Sequence, residues 1–360
     1  MRLTLLLAAA LGMLGVMTGT PAFAADERVY EGTAGNARLV MAIDDSGEAV
    51  DGRYFYDSTR RSVDLTGQRH GATLTLASDM TGDKITMTVS GVTLTGTLVT
   101  ARGRSLPISL HAAALPGILP ADIPPDLGLY EKLQLAGLKL VPQQAATVDG
   151  KAIHWYREGR SGLRLFRVES GYAPAAMAAV NQLLARQQWR SVSDWLGCTD
   201  TDGQPGIEVS EADALWLGAH VMSYRWRSSW FCAHAAHPDF GTEGHSFDMV
   251  TGRALRLEDL LYFGAGRPPA EDSDASATYR DSVFARSVIA LLRRYHPREM
   301  APSKAADDAC DYTEAEAWKF PSWALTAKGL WVGAIFARVE RVCDVPDWAI
   351  IPWSRLSRKP

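Results

Sequence analysis

Between residues 27 and 112 the sequence switches between apolar and polar at every second position and breaks about every ten residues. Segments 38–43, 52–56, 62–66, 73–76, 85–89 and 93–98 carry the alternation. Asp-, Gly- and Ser-rich stretches at 44–47, 67–71 and 81–83 interrupt it. A period of two puts one face of each segment inward, and tight turns make successive strands antiparallel neighbours. Seven or eight such strands predict an all-β meander that closes as a small barrel or sandwich. Threonines fall on the outer face and Leu, Ile, Val and Met on the inner one. Asp44 and Asp45 read as turn residues rather than an acid/base pair.

The pattern stops at a proline-dense stretch. Pro116, Pro120, Pro124 and Pro125, with Gly117, exclude helix and central strand, so residues 113–127 form the expected linker between a domain at 25–112 and one at 128–360. The second domain reads as α+β, an antiparallel sheet with packed helices. Strands are expected at 133–140, 152–156, 163–168, 207–209, 214–231, 324–341 and 348–353. Helices are expected at 175–190 and 277–295, with a helical turn at 257–263. In the second helix Val283, Phe284, Val288, Leu291, Leu292 and Tyr295 share one face.

Residues 1–24 have the form of a secretory signal: Arg2, an apolar run over 3–17, and the small-x-small step Ala22-Phe23-Ala24. The run is shorter than the roughly 18 residues that a spanning helix needs, and no later segment is long and apolar enough. No cysteine near the cleavage point is available for lipid attachment. The expected location is therefore periplasmic or secreted. Loss of Arg2 takes the formal charge from −4 to −4 − 1 = −5, with no basic excess to suggest nucleic acid. An oxidising compartment makes the even set Cys198, Cys232, Cys310 and Cys343 a disulfide framework. Three connectivities exist. Cys198–Cys232 and Cys310–Cys343 are expected because each staples a strand to a nearby connection; a zinc site is disfavoured because no Cys-x-x-Cys pair exists.

The densest polar constellation is His234, His237, Asp239, Glu243, His245 and Asp248. Three histidines beside carboxylates offer a conceivable zinc set for a metal-assisted hydrolase built on His234, His237 and His245. The spacing matches no His-Glu-x-x-His motif, and a strand-to-loop crossing with backbone-bonded histidines is the preferred reading, with no cofactor. His237 is expected to be a buried scaffold imidazole beside Pro238. No Gly-x-Ser-x-Gly elbow and no Gly-rich phosphate loop occur. The stretch from Cys198 through Asp200, Asp202 and Gly203 fails the register of a calcium loop, so it reads as a turn.

All 11 tryptophans lie from Trp155 onward. Taken as one strand from 216 to 230, the even positions Trp216, His220, Met222, Tyr224, Trp226 and Trp230 share a face, with Arg225 and Arg227 opposite. Packing of that face under helices is the favoured reading. Where exposed, the mixture suits a protein-recognition patch or a sugar-stacking shelf. The candidate binding residues are accordingly Tyr224, Arg225, Trp226, Arg227, Trp230, His237 and Asp239.

The order of motifs in the second domain resembles a specific extracytoplasmic family. Ala236-His237-Pro238, Phe247-Asp248, Thr251-Gly252-Arg253 and Leu257-Glu258-Asp259-Leu260-Leu261 follow one another as in the domain of unknown function shared by RsiV-type anti-sigma factors and PdaC-type peptidoglycan deacetylases. Val180-Asn181-Gln182-Leu183-Leu184 upstream and Ile350-Ile351-Pro352-Trp353 at the end extend the resemblance over about 130–356. His234 and the cysteines depart from the pattern. Neither a sigma-binding segment nor a deacetylase domain is recognisable. The resemblance implies an α+β fold and a recognition role at the cell envelope, toward lysozyme-type muramidases or peptidoglycan. The acidic stretch at 268–275 would suit a basic muramidase. Read without the family, Thr251-Gly252 is a turn and Asp259 caps a helical turn.

Overall fold

The computed structural model describes residues 27–357, apart from 48, 234 and 303–309. The expected secretory signal and His234 therefore lie outside the described residues. The first eight strands are β1 (Arg28–Ala34), β2 (Ala37–Asp44), β3 (Val50–Tyr56), β4 (Val63–His70), β5 (Thr73–Ala77), β6 (Lys84–Ser90), β7 (Thr93–Val99) and β8 (Ser105–Ala112). Each pairs antiparallel with the next, and β1 pairs with β8, so the meander closes into a barrel rather than a sandwich. Closure leaves no edge strand exposed. Leu39, Met41, Ile43, Leu65, Leu74, Leu76, Ile85 and Met87 fill the interior, while Thr75, Thr86 and Thr95 stay outside.

The turn expected at 67–71 falls later in the structure. Residues 67–70 belong to β4, and the reversal falls at Gly71, with φ +61°. Gly67 serves a different purpose: a Cβ there would sit 2.0 Å from the Thr75 carbonyl oxygen on β5. It is a close-approach glycine within a strand, not a turn glycine.

The proline-dense segment packs against residues that follow it in the chain. Ala121 O accepts from the Trp189 indole (3.1 Å), Asp122 from Gln182 (3.0 Å) and Asp126 from Arg190 (2.6 Å). Ile123 and Leu127 pack with Trp189, Val192 and Leu196. Next comes helix α1 (Leu129–Leu135), where a strand over 133–140 was expected. Seven residues form a stable helix only when packing holds them. Tyr130 supplies it, buried edge-on against Phe55 on the outside of the barrel (5.1 Å) and under the Arg53 guanidinium (4.2 Å). Ser62 joins the halves again: it meets the Tyr130 hydroxyl at 3.1 Å, and its backbone bonds Leu196 O and the Thr199 hydroxyl.

Strands β9 (Leu140–Val148), β10 (Lys151–Glu158) and β11 (Arg164–Val168) form a three-stranded sheet on which α2 (Pro174–Gly197) lies. The segment 207–231, expected as two strands, is a hairpin of β12 (Ile207–Leu217) and β13 (Val221–Trp230), continued by β14 (Asp239–Asp248) and the short β15 (Arg253–Ala254). The reversal uses Gly218, where a Cβ would lie 2.6 Å from the Trp216 ring. Thr251-Gly252 makes the expected turn. Gly252 has φ +73°, a Cβ on it would strike Ala179 of α2, and the buried Asp248 carboxylate accepts from the Val250 and Thr251 amides. Asp259 closes its helical turn through Arg256 N at 2.9 Å.

Helix α3 (Asp274–Tyr279) runs through a π-helical stretch (Arg280–Phe284) into α4 (Ala285–Tyr295). The extra residue in a π turn shifts the helical phase. Val283, expected inward, is consequently exposed, while Phe284, Val288 and Leu292 keep their places in the core. The segment 324–341 is likewise not one strand. It comprises part of β16 (Ser322–Thr326), then β17 (Gly329–Gly333), and enters a 3-10 turn (Arg338–Cys343). β18 (Ile350–Pro352) completes that sheet. The whole is mostly β, with a closed barrel followed by further antiparallel sheets and few helices. Both expected disulfides are present, Cys198–Cys232 and Cys310–Cys343. No described helix is long and apolar enough to cross a membrane.

Candidate functional site

Alternation along β13 divides the expected binding residues between two faces. Met222, Tyr224 and Trp226 turn inward against Phe166, Leu184 and Phe247. Tyr224 and Trp226 are buried there, so neither ring is presented to a partner. Their size and apolarity stabilise the core between the sheets and α2. Trp216 belongs to β12 and rests against Trp353 at 5.5 Å.

The opposite face carries the arginines, and both are paired. Arg225 meets Asp213 at 3.2 Å and Asp347 at 2.8 Å, with its guanidinium 4.9 Å from the Trp331 ring centroid. Arg227 pairs with Glu211 and lies 3.7 Å from Asp213. This is a neutralised charged face.

The histidines occupy separate environments. His245 on β14 stacks on Tyr224 with centroids 4.9 Å apart, and its Nε2 is buried without a hydrogen-bond partner, 3.9 Å from a Glu243 oxygen. Burial pushes its pKa down to about 4, because the charged ring would lose water, and Glu243, whose own carboxyl is pushed up by burial, does not offset that loss. His237, by contrast, is exposed in the loop before β14, which corrects the expectation of a buried scaffold imidazole. The chain leaves β13 at Trp230 and re-enters the sheet at Asp239 opposite it, so the loop between projects beyond the ladder. Among the described residues no three His, Cys, Asp or Glu side chains gather as metal ligands. Asp200 instead holds its loop as a turn, its Oδ1 accepting from the amides of Asp202 (2.9 Å) and Gln204 (2.7 Å).

What the loop and the 3-10 turn build together was not expected. Arg338 donates to Pro238 O at 2.8 Å. Arg341 bonds Phe240 O, pairs with Asp239 and Asp344, and lies over the Phe240 ring at 4.8 Å. The arginines, three residues apart, thus clamp the turn to the start of β14. Val339 and Val342, also three apart, are carried on the next side of the turn. They are 93% and 90% exposed, and Phe240 is 44% exposed. The Cys310–Cys343 bridge fixes this turn, and Cys198–Cys232 fixes the chain just beyond Trp230. Asp239 therefore belongs to the clamp, while Trp230 is half-buried beside it, with the space above Gly241 bounded by its ring. The expected strand over 324–341 hides Val339, and Val342 falls just beyond it with no element assigned. The three-residue repeat of Arg338/Arg341 and Val339/Val342 was the available signal for a helical turn.

No protein-family model matches the chain, and no curated protein matches it.

Proposed function

We propose that this chain is an exported, non-catalytic binding protein of the cell envelope. It meets its partner through the surface formed by Phe240, Val339 and Val342, flanked by Arg338, Arg341 and Trp230. The observation that carries this reading is the pair of almost fully exposed valines on a disulfide-fixed turn. Apolar side chains held rigidly in water gain on being covered, and a cross-linked turn loses little conformational freedom when it is. Arginine and aromatic neighbours match the composition of interface cores.

The partner is a lysozyme-type muramidase, as the motif order in 236–261 implies, with peptidoglycan itself as the other envelope ligand. Charge supports the first. Glu271, Asp272 and Asp274 are exposed, and the chain without residues 1–24 carries −5, so a basic muramidase is attracted over a Debye length. Calorimetric titration of residues 25–360 with a basic muramidase, and separately with soluble peptidoglycan fragments, tests the proposal. Saturable 1:1 binding to the muramidase that weakens with added salt is expected. Binding to the glycan alone would reassign the partner, and binding to neither would overturn the reading.

A further inference from the structure

An open cleft of about 860 Å³ lies between the proline-dense segment and α2. Ile118, Leu119 and Pro120 form one apolar wall, Ala178 and Ala185 of α2 with Trp189 another, and Leu138 a third. Its volume suits a small organic ligand. Arg167 of β11 and Tyr156 of β10 also line it.

The guanidinium of Arg167 donates to Phe166 O (2.8 Å) and to Gln188 Oε1 (3.0 Å), and lies 5.5 Å from the Tyr156 ring centroid. No carboxylate of a described residue forms an ion pair with it. The carboxylate of Asp122 in the cleft lining accepts from Gln182 and acts on Arg167 only through space. Gln188 is fully buried and holds Arg167 in place. Its own amide N–H groups go to Tyr156 O (2.8 Å) and Leu163 O (3.2 Å), which fixes the side-chain oxygen toward the arginine. A guanidinium has five N–H donors in a rigid fork, so two bonds leave donors for a ligand. Burial lowers the Arg167 pKa to about 10, the consequence of taking a cation from water without a counter-ion at contact distance. Lys139 is a second cation in the lining. With Arg167, Lys139 and Asp122 the cleft carries a net single positive charge.

We propose that this cleft binds a small amphipathic carboxylate, its head group on the Arg167 fork and its apolar body along the walls of Ile118, Leu138 and Trp189. A carboxylate accepts two parallel bonds from one guanidinium, and a single anionic charge balances the lining. The site uses no part of the valine surface, so either holds without the other.

Decanoate is the probe, titrated calorimetrically against residues 25–360, with decanol and acetate as matched ligands lacking the charge or the apolar body. Saturable 1:1 binding of decanoate, at least about tenfold tighter than decanol and than acetate, is expected from one charge-assisted pair plus apolar burial. Arg167→Met should weaken decanoate about tenfold or more while changing decanol little. Because that variant leaves the buried Gln188 oxygen without its donor, Ala178→Trp supplies an independent block: it starts from an exposed position, leaves the Arg167 contacts intact and fills the cleft. Loss of decanoate binding in this variant, with an unchanged melting temperature, supports the site. Equal affinity for decanoate and decanol, unaltered binding in Ala178→Trp, or no binding by the parent chain would each overturn it.

Discussion

His245 gives the protein a calculable acid sensitivity. Its imidazole titrates near 6.5 when the chain is unfolded and near 4 when folded, because burial against Tyr224 disfavours the charged ring. Between those values the unfolded state binds a proton that the folded state does not, so stability falls as pH drops through this window. The full shift corresponds to about 3 kcal/mol. Integrated only from about pH 7.5 to about pH 4.5, the loss is about 2 to 3 kcal/mol. Asp194 acts in the opposite sense. Burial raises its carboxyl to about 6, so the folded state binds the extra proton and stability is regained as pH falls from about 6 toward 4. A single pH curve blends these with other buried carboxyls such as Glu243 and Asp344, and a difference between variants separates His245 from them. His245→Phe keeps a ring against Tyr224 and removes the titrating nitrogens. Urea unfolding of both proteins from about pH 7.5 to 4.5 should show the variant gaining on the parent by about 2 to 3 kcal/mol over that range, with most of the gain below pH 6. Parallel curves for the two proteins would refute the assignment of a buried, uncharged His245.

Thiol titration of the unfolded, unreduced protein should find no reactive thiol, since all four cysteines are paired. Each bridge spans 34 or 33 residues, so Cys198→Ser/Cys232→Ser or the equivalent pair should lower stability by about 4 kcal/mol in the chain-entropy account, read from urea midpoints. Tyr130→Ala removes a fully buried ring from the junction of barrel and α1 and should cost about 3 to 5 kcal/mol; a loss below about 1 kcal/mol would mean that the docking contributes little. His237→Ala, at an exposed loop position, should change stability by less than about 0.5 kcal/mol, and elemental analysis after dialysis should find the same metal content in both proteins. Stoichiometric zinc in the parent and its loss in that variant would favour the metal-assisted hydrolase instead.

Local signals decided what was legible in the sequence. The barrel followed from alternation such as Lys84–Ser90, where every second side chain is buried. Gly252 and Asp259 were placed correctly because a turn and a cap depend on neighbours a few residues away. Helix α1 was not legible, since its stability comes from Tyr130 meeting Phe55, 75 residues earlier in the chain. The β12–β13 reversal was hidden because Trp216 and the even positions of β13 continue one alternating pattern across Gly218. At the candidate site, the period-two reading separated Tyr224 and Trp226 from Arg225 and Arg227 correctly. Packing of the tryptophan face under a helix, the favoured reading, is what α2 provides, so Tyr224 and Trp226 are not available to a partner. Val339 and Val342 escaped because hydrophobic residues in water contradict the rule by which strands are recognised, and their three-residue spacing was the only trace.

The affinity of Val339→Asn/Val342→Asn, which leaves the charge unchanged, for the muramidase, measured beside that of the parent chain, tests the proposed partner surface most directly. Both positions are almost wholly in water, so the substitutions leave the core and the Arg338 and Arg341 contacts in place, and equal melting temperatures confirm it. The account predicts a loss of at least about tenfold, because two polar amides would have to be buried where two apolar side chains were. An unchanged affinity in a fully folded double variant would contradict it.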